Sequence, residues 1–258
     1  MRTLLLLALL ATLPCRAASV LHLDVQGTEF IVTLPDGSQR RSAELAGAVL
    51  ALPDGRSLRI DTVERETLAQ GDAIWLHALS VRTADGWESL CQTDGAGRSL
   101  GFPFQGRFTD DGNYLAADGL FSLSCTSGAQ AKCIRYGYAP WKVTADGASL
   151  SGHYNACIRM IRADYCGDQA AHTMDGTVID IYDDLRVQDT DASITDMRFE
   201  AGWGPHGAVC VAHTRIPALL DLAALRADCP TLAAIPQGQA CNEAWARAHG
   251  AILFNRSR

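Results

Sequence analysis

The chain has 258 residues, of which 48% are apolar and 20% are charged, a composition typical of a folded globular protein. This length allows one large domain or two smaller ones. Lysine and arginine together number 22 against 29 aspartate and glutamate residues, which gives a net charge of −7. This balance argues against nucleic acid as a partner, because nucleic-acid binding requires clustered positive charge, and against docking on anionic membranes.

Residues 1–17 have the pattern of a secretory signal peptide. Arg2 provides the positive start, an apolar run covers residues 4–13, and Ala17 precedes the expected cleavage site. The apolar run is too short to span a bilayer, so we predict no transmembrane segment in the mature chain. We expect export to the periplasm or the extracellular space. A lipoprotein anchored at Cys15 is the less favoured alternative, because a proline directly precedes that cysteine.

Cleavage after Ala17 reduces the nine cysteines of the chain to eight. An even number of cysteines in an exported protein predicts complete pairing into disulfides. Spacing alone does not choose the pairing, but Cys125 with Cys133 and Cys229 with Cys241 are plausible local pairs. The eight predicted structural cysteines are Cys91, Cys125, Cys133, Cys157, Cys166, Cys210, Cys229 and Cys241.

Residues 18–135 are predicted to form a β-rich N-terminal region with antiparallel strands. Eight Asp-Gly dipeptides occur in the chain, and seven of them precede residue 150. Asp-Gly between apolar stretches is typical of tight hairpin turns, because both residues tolerate positive φ. Candidate strands cover residues 29–34, 57–60 and 74–81. This part of the chain therefore predicts a meander, a sandwich or a small barrel.

Residues 136–258 are predicted to form a disulfide-stabilised α+β domain. Helical spacing of apolar residues predicts helices over residues 148–163, 217–228 and 241–252. Two strands are expected between them, at residues 177–182 and 208–213. The chain as a whole is therefore predicted to have an α+β fold.

The densest group of polar residues lies between residues 159 and 183. It contains the sequence Ala163, Asp164, Tyr165, Cys166 and Gly167. Four further motifs accompany it in order: Gly-Tyr-Ala-Pro-Trp at 137–141, Phe-Glu-Ala-Gly-Trp at 199–203, Cys-Pro at 229–230 and Leu-Phe-Asn-Arg-Ser at 253–257. Together these motifs resemble the ADYC-domain family of bacterial exported proteins, which is named for the tetrapeptide at 163–166.

The resemblance covers about the second half of the chain, together with residues 125–141. It implies a setting in the bacterial envelope or outside the cell. It implies no particular reaction, so no catalytic residue is assigned from it.

The favoured interpretation of the polar group is structural. Cys166 would form a disulfide with Cys157 or Cys210, and Asp164 would accept backbone N–H bonds where the helix ends. The other predicted polar pairs are His172 with Asp180, and Arg159 or Arg162 with a nearby aspartate.

The first alternative is a thiol hydrolase. Cys166 would attack a carbonyl, His172 would take its proton, and Asp180 or Asp183 would orient the imidazole. The position of Cys166 disfavours this hypothesis, because the C-terminal end of a helix raises the pKa of a nearby thiol.

The second alternative is a metal-dependent hydrolase at the same residues. Asp164, His172, Asp180 and Asp183 have the oxygen and nitrogen ligands that suit manganese, zinc or calcium. Asp180 and Asp183 would lie on opposite faces of a strand, so they converge only if the strand ends between them. We therefore predict neither a metal site nor a cofactor.

The sequence thus predicts an exported, disulfide-stabilised protein of unknown activity that acts as a binding or structural module. Its partner would be an unknown ligand or an envelope protein. Trp141 and Trp203 are predicted to be core anchors, and Trp203 in its glycine-rich segment also suits the wall of a pocket.

Overall fold

The protein has the predicted α+β fold. A computed structural model describes residues 20–52, 54–235 and 240–258, so the predicted signal peptide and Cys15 lie outside the described residues. The strands are β1 (His22–Gln26), β2 (Glu29–Thr33), β3 (Gln39–Arg41), β4 (Val49–Ala51), β5 (Ser57–Thr67), β6 (Ala73–Arg82), β7 (Trp87–Ser89), β8 (Gly101–Gln105), β9 (Arg107–Phe108), β10 (Tyr114–Leu115), β11 (Phe121–Cys125), β12 (Asp180–Asp183), β13 (Arg198–Gly204), β14 (Gly207–Val211) and β15 (Leu253–Ser257). The helices are a 3-10 turn (Ser42–Glu44), α1 (Ala129–Arg135), α2 (Ser151–Arg162), α3 (Leu222–Asp228), α4 (Pro230–Ala233) and α5 (Glu243–Ala248).

Within the described residues, every pair of named strands is antiparallel, and the strands form four sheets. One sheet has the order β1-β2-β3, and a six-stranded sheet has the order β11-β8-β6-β5-β4 with β7 paired to β6. Strands β9 and β10 form a two-stranded sheet, and the fourth sheet has the order β12-β15-β13-β14. The β-rich, antiparallel character of the N-terminal part is therefore confirmed.

The hairpin of β5 and β6 shows how the apolar pattern creates this part of the fold. Leu58 and Ile60 alternate with more exposed residues along β5 and are fully buried. They join Leu79 of β6 and Phe30 of β2 in a hydrophobic core. Strand β5 is longer than predicted and continues to Thr67, because its polar second half still pairs with β6.

The helices of the second half are present but shorter than predicted. The amphipathic pattern over residues 148–163 corresponds to α2. The helices predicted over 217–228 and 241–252 begin later, at α3 and α5. In both cases the start is set by an N-cap, because the side chains of Asp221 and Asn242 accept a hydrogen bond from the first turn.

Strands β13 and β15 are not predicted by the sequence. Their segments contain glycine, asparagine and arginine where an obvious strand has β-branched residues. They pair with each other in the middle of the fourth sheet and so place the end of the chain beside residues 198–204.

Four disulfides join Cys91 to Cys125, Cys133 to Cys157, Cys166 to Cys229 and Cys210 to Cys241. The prediction of up to four disulfides is confirmed, but the local pairs Cys125–Cys133 and Cys229–Cys241 are wrong. Cys125 ends β11, whereas Cys133 lies on α1 and bonds to α2. Packing between distant elements therefore decides the pairing, and sequence proximity does not.

A second hydrophobic core joins the six-stranded sheet to α1 and α2. It contains Leu76 of β6, Ile134 of α1 and Tyr154 of α2, all fully buried, and it reaches Trp203 in β13. The core thus contains residues from both sides of position 135, the predicted boundary between the β-rich region and the α+β domain. Among the described helices, none has the length and apolar character needed to cross a bilayer.

His77 of β6 makes the stability of this fold depend on pH. Its ring is fully buried, with Nε2 2.8 Å from Ser42 Oγ. Burial lowers the pKa of His77 to about 4, from an ordinary value of 6.5. The unfolded chain therefore takes up this proton at a higher pH than the folded protein does. The stability that the buried, uncharged His77 contributes is fully present above pH ~6.5, and it is lost as the pH falls towards ~4.

We expect this histidine to remove about 2–3 kcal/mol from the free energy of unfolding between neutral pH and pH ~4.5. Urea unfolding of the wild-type protein and of His77→Gln at both pH values measures the effect. The variant lacks the titrating group and should lose less stability on acidification. Equal losses in the two proteins would contradict the assignment.

Candidate functional site

The tetrapeptide at residues 163–166 lies where α2 ends. Ala163 adopts a left-handed conformation with φ of 50°, and the Asp164 N–H donates to the Arg159 carbonyl at 2.9 Å. Left-handed residues commonly close helices in this way. The side chains of Arg159 and Asp164 also form an ion pair at 2.6 Å, with exposures of only 2% and 0%. Because Asp164 further accepts the N–H of Gln169 at 3.0 Å, it fixes both the helix end and the turn that follows.

Gly167 allows this turn to lie directly against the connection between β13 and β14. Its φ is +74°, and a Cβ atom at this position would lie 1.8 Å from the carbonyl oxygen of His206. The adjacent N–H of Ala208 donates to the carbonyl of Tyr165 at 2.9 Å. Only glycine fits such a close approach.

Tyr165 connects the motif to a buried network in the fourth sheet. Its hydroxyl donates to Glu200 Oε1 at 3.0 Å and accepts the N–H of Arg215 at 2.7 Å. Burial and the nearby Glu200 charge raise the pKa of Tyr165 well above its ordinary value, so the hydroxyl remains a donor. Arg215 donates to both oxygens of Glu200 and to the Met160 carbonyl, while Asn255 donates to Glu200 at 2.7 Å. The network therefore joins the end of α2 to β13 and β15.

Cys166 is bonded to Cys229, so it carries no thiol in this structure. The two partners expected from the sequence, Cys157 and Cys210, bond instead to Cys133 and Cys241. A thiol hydrolase would require Cys166 to be reduced, and we do not propose that activity.

His172 and Asp180 have separate partners. The Nδ1 atom of His172 lies 3.2 Å from the Ala163 carbonyl oxygen, and its ring stacks on Tyr165. Asp180 forms an ion pair with Arg256 of β15. The predicted hydrogen bond between His172 and Asp180 is therefore not made within the described part of the chain.

Asp183 also has a structural role, at the other end of β12. It accepts the Tyr138 hydroxyl at 2.5 Å and the backbone N–H groups of Leu185 and Gln188 at 2.7 and 3.0 Å. Burial and the Asp183 charge raise the pKa of Tyr138, so its hydroxyl remains protonated. Asp164, Asp180 and Asp183 are thus held apart by separate contacts. Across residues 20–52, 54–235 and 240–258, no three His, Cys, Asp or Glu side chains are placed to hold a metal ion together.

The sequence interpretation misses the residues that complete these networks. Glu200, Arg215, Asn255 and Arg256 are distant in sequence from the tetrapeptide. The register of the fourth sheet places Glu200 beside Asn255 and Arg256 opposite Asp180, whereas Arg215 lies beyond the end of β14. The available signal is that Glu200 is the one charged residue of its motif, Phe-Glu-Ala-Gly-Trp, and that Asn255 directly follows two large apolar residues. Both side chains are fully buried in the structure, and this burial gives them their structural role.

A cleft of about 840 Å³ opens between α1, the end of α2 and residues 171–179, and we refer to it as the loop cleft. It lies beside the buried networks and shares one residue with them, Arg215. Its lining includes Lys132, Ile161, Arg162, Met174, Val178 and Ile179. Met174 and Val178 are 59% and 54% exposed, so the loop presents apolar side chains to solvent at the edge of the cleft.

Two cations line the loop cleft without a carboxylate partner among the described residues. Arg162 donates one hydrogen bond to the Gln169 carbonyl, and the Lys132 ammonium group has no ion pair there. Two acids also contribute to the lining. Asp94 accepts hydrogen bonds from Thr126 and from backbone N–H groups, and Asp175 is exposed. The cleft therefore offers cationic donors beside an apolar surface.

Comparison with known proteins identifies one family. A family model for the ADYC domain matches residues 42–217, more than half of the chain. This range includes the six-stranded sheet, α1, α2, the tetrapeptide and all residues of the loop cleft. No curated protein and no solved structure shows significant similarity to the chain. The protein therefore belongs to the ADYC domain family.

Proposed function

We propose that the protein is an exported binding module, and that the loop cleft holds its ligand. The ligand would have a carboxylate or a similar acidic group for Lys132 and Arg162, joined to an apolar part. The observation that carries this proposal is the cleft itself. It contains two cations that have no carboxylate partner among the described residues, and disulfides hold its walls in place.

The disulfides support export. All eight cysteines that follow the predicted cleavage site are paired. Disulfides form and persist in oxidising compartments and are rare in the cytosol. Together with the sequence pattern of residues 1–17, this favours a bacterial envelope or extracellular setting.

The walls of the loop cleft favour binding because they are held in position without a ligand. The disulfide Cys133–Cys157 joins α1 to α2, and Cys166–Cys229 anchors the chain just before the loop. Behind the cleft, Arg215 is fixed by Glu200 and by the end of α2. A preformed site loses less conformational entropy when a ligand binds.

The distribution of charge supports an acidic ligand. Acids outnumber bases in this chain, yet Lys132 and Arg162 have no carboxylate partner among the described residues. The buried cations Arg159 and Arg215 are each paired with an acid. A cation pair that lacks internal partners in a concave site is suited to bind an anionic group.

The described lining also favours binding over hydrolysis. It contains neither a cysteine nor a histidine, so it offers no thiol–imidazole pair. His172 belongs to the loop, but its ring is stacked on Tyr165.

We expect the cleft to distinguish a carboxylate from its neutral analogue. The probes are N-acetyl-leucine and N-acetyl-leucinamide, titrated into ¹⁵N-labelled protein and followed by NMR. The carboxylate should shift the amide signals of residues 128–132 and 171–179, and the amide should shift them much less. In Lys132→Ala and Arg162→Gln the affinity should fall by about tenfold.

Arg226→Ala is the matched control, because Arg226 is an exposed arginine on α3 outside the cleft. It should bind N-acetyl-leucine as the wild-type protein does. Equal shifts with the two probes, or an unchanged affinity in Lys132→Ala, would contradict the proposal.

A further inference from the structure

A separate cavity of about 380 Å³ lies between the β1–β2 turn, the β5–β6 hairpin and the segment that follows α1. Its lining includes two tryptophans, Trp75 of β6 and Trp141. Trp141 is the last residue of the motif at 137–141, and none of the residues of this motif lines the loop cleft. The two sites share none of their lining residues.

The positions of both tryptophans are set by local contacts. The backbone N–H of Trp75 donates to the Thr28 hydroxyl at 2.7 Å, which ties β6 to the β1–β2 turn. Gly27 in that turn has φ of +59°, and a Cβ there would lie 3.9 Å from the Trp141 indole. Gly137 approaches Val187 so closely that a Cβ would lie 2.7 Å from its methyl group. The walls of the cavity therefore exist before any ligand enters.

The tryptophans have free polar groups as well as apolar rings. Within the described part of the chain, neither indole N–H has a hydrogen-bond acceptor, and neither Nε1 atom is enclosed. Both side chains are half-buried. Their donors are thus accessible to a bound molecule.

Hydrogen-bonding side chains surround the two rings. Asp72 and Lys142 form an ion pair at the mouth of the cavity, with exposures of 49% and 37%. Gln26 is exposed, and its amide makes no side-chain hydrogen bond to the described residues. Glu29 is the remaining charged residue of the lining, and it is paired with Arg41. The cavity thus combines carboxylate, ammonium and amide groups with aromatic walls.

We propose that this cavity binds an uncharged sugar ring. The C–H face of a pyranose packs on an aromatic face, and its hydroxyl groups both donate and accept hydrogen bonds. Trp75 and Trp141 supply the aromatic surface, while Asp72, Lys142 and Gln26 supply acceptors and donors. Ligand sites in general combine aromatic walls with a few placed polar groups in this way.

The size of the cavity favours one or two sugar rings over an extended peptide. Ligand pockets span about 300–1,000 Å³, and this one lies near the lower limit. A proline-rich segment would also use tryptophan walls, but it rises about 3.1 Å per residue and requires a long open groove.

The indole N–H signals of the protein test this proposal directly. The chain has five tryptophans, so Trp→Phe variants assign each signal in a ¹H–¹⁵N NMR spectrum. The probes are cellobiose and N,N′-diacetylchitobiose, with tetraproline for comparison. At least one saccharide should shift the Trp75 and Trp141 signals and leave Trp87 and Trp245 unchanged. Absence of a shift with both saccharides, or a shift with tetraproline alone, would overturn the proposal.

Variants then establish that the site is the one described. Trp75→Ala should weaken saccharide binding at least tenfold, and Gln26→Ala should weaken it by a smaller factor. Because Gln26 is exposed, its variant remains informative if Trp75→Ala fails to fold. Trp87→Ala is the control, since Trp87 lies on β7 between Arg59 and Arg82, outside the cavity. Unchanged affinity in both Trp75→Ala and Gln26→Ala would contradict the site.

Discussion

Glu200→Ala should lower the free energy of unfolding by about 3–5 kcal/mol. Glu200 is fully buried, and its carboxylate accepts hydrogen bonds from Tyr165, Arg215 and Asn255. Removing it leaves the Arg215 guanidinium charged in the interior, with a side-chain exposure of only 2%. A buried charge without its partner is one of the most destabilising changes that a single substitution produces.

Urea unfolding followed by circular dichroism measures this effect, and Asp196→Ala provides the contrast. Asp196 pairs with Arg258, but both side chains are more than half exposed, at 58% and 62%. Solvent screens such a pair, so its loss should change stability little. Similar losses of stability in the two variants would contradict the role assigned to burial.

The cause of the destabilisation is tested by removing both charges. In Glu200→Ala/Arg215→Met no charge remains buried without a partner, so the double variant should be more stable than Glu200→Ala alone. If Arg215→Met lowered the free energy of unfolding of Glu200→Ala as much as it lowers that of the wild-type protein, the two side chains would act independently. That result would exclude the ion pair as the main cause.

The sequence predicts those parts of the fold that depend on local pattern. The apolar spacing at 148–163 predicts α2, and the alternation at 74–81 predicts β6. Both elements pack in the same core, and β6 is also buried on its other face, where Leu79 joins the other core. The even cysteine count predicts the number of disulfides. It cannot give the pairing, because Cys133 bonds across two helices and Cys210 bonds from a strand to residue 241.

The candidate site shows why proximity in sequence misleads. Cys166, His172 and Asp180 lie within 15 positions of one another, yet the structure directs them to three different neighbours. Cys166 faces the start of α4, His172 turns back to the end of α2, and Asp180 faces β15. Conversely, Tyr165 meets Glu200 and Arg215 only because the fourth sheet lies against α2. Contacts of this kind follow from packing between elements that are distant in sequence, which one sequence does not reveal.

Removal of the Cys166–Cys229 disulfide should have a comparably large effect. This disulfide spans 63 positions, the longest separation of the four, and it joins the tetrapeptide to the start of α4. We expect Cys166→Ala/Cys229→Ala to lose about 2–5 kcal/mol in the free energy of unfolding. The yield of exported protein should fall with it, because a larger unfolded fraction is exposed to proteases.

Cys210→Ala/Cys241→Ala is the matched control, because it also removes one disulfide without leaving an odd thiol. This disulfide joins β14 to the segment before α5, spans 31 positions, and has no cleft-lining residue next to either cysteine. It should cost stability, but the loop cleft should keep its affinity for N-acetyl-leucine. Loss of the Cys166–Cys229 disulfide should weaken that affinity as well, because the loop then loses its anchor.

Intact-mass analysis and a non-reducing peptide map of the exported wild-type protein complete the test. The chain should begin at Ala18, and the peptides of Cys166 and Cys229 should be linked. A lipid-modified chain beginning at Cys15 would favour a lipoprotein instead. If Cys166 reacts with an alkylating reagent before reduction, and its removal leaves stability unchanged, then Cys166 does not brace the fold. The structural role of the tetrapeptide would in that case rest on Asp164 and Tyr165 alone, whose buried contacts do not involve the sulfur.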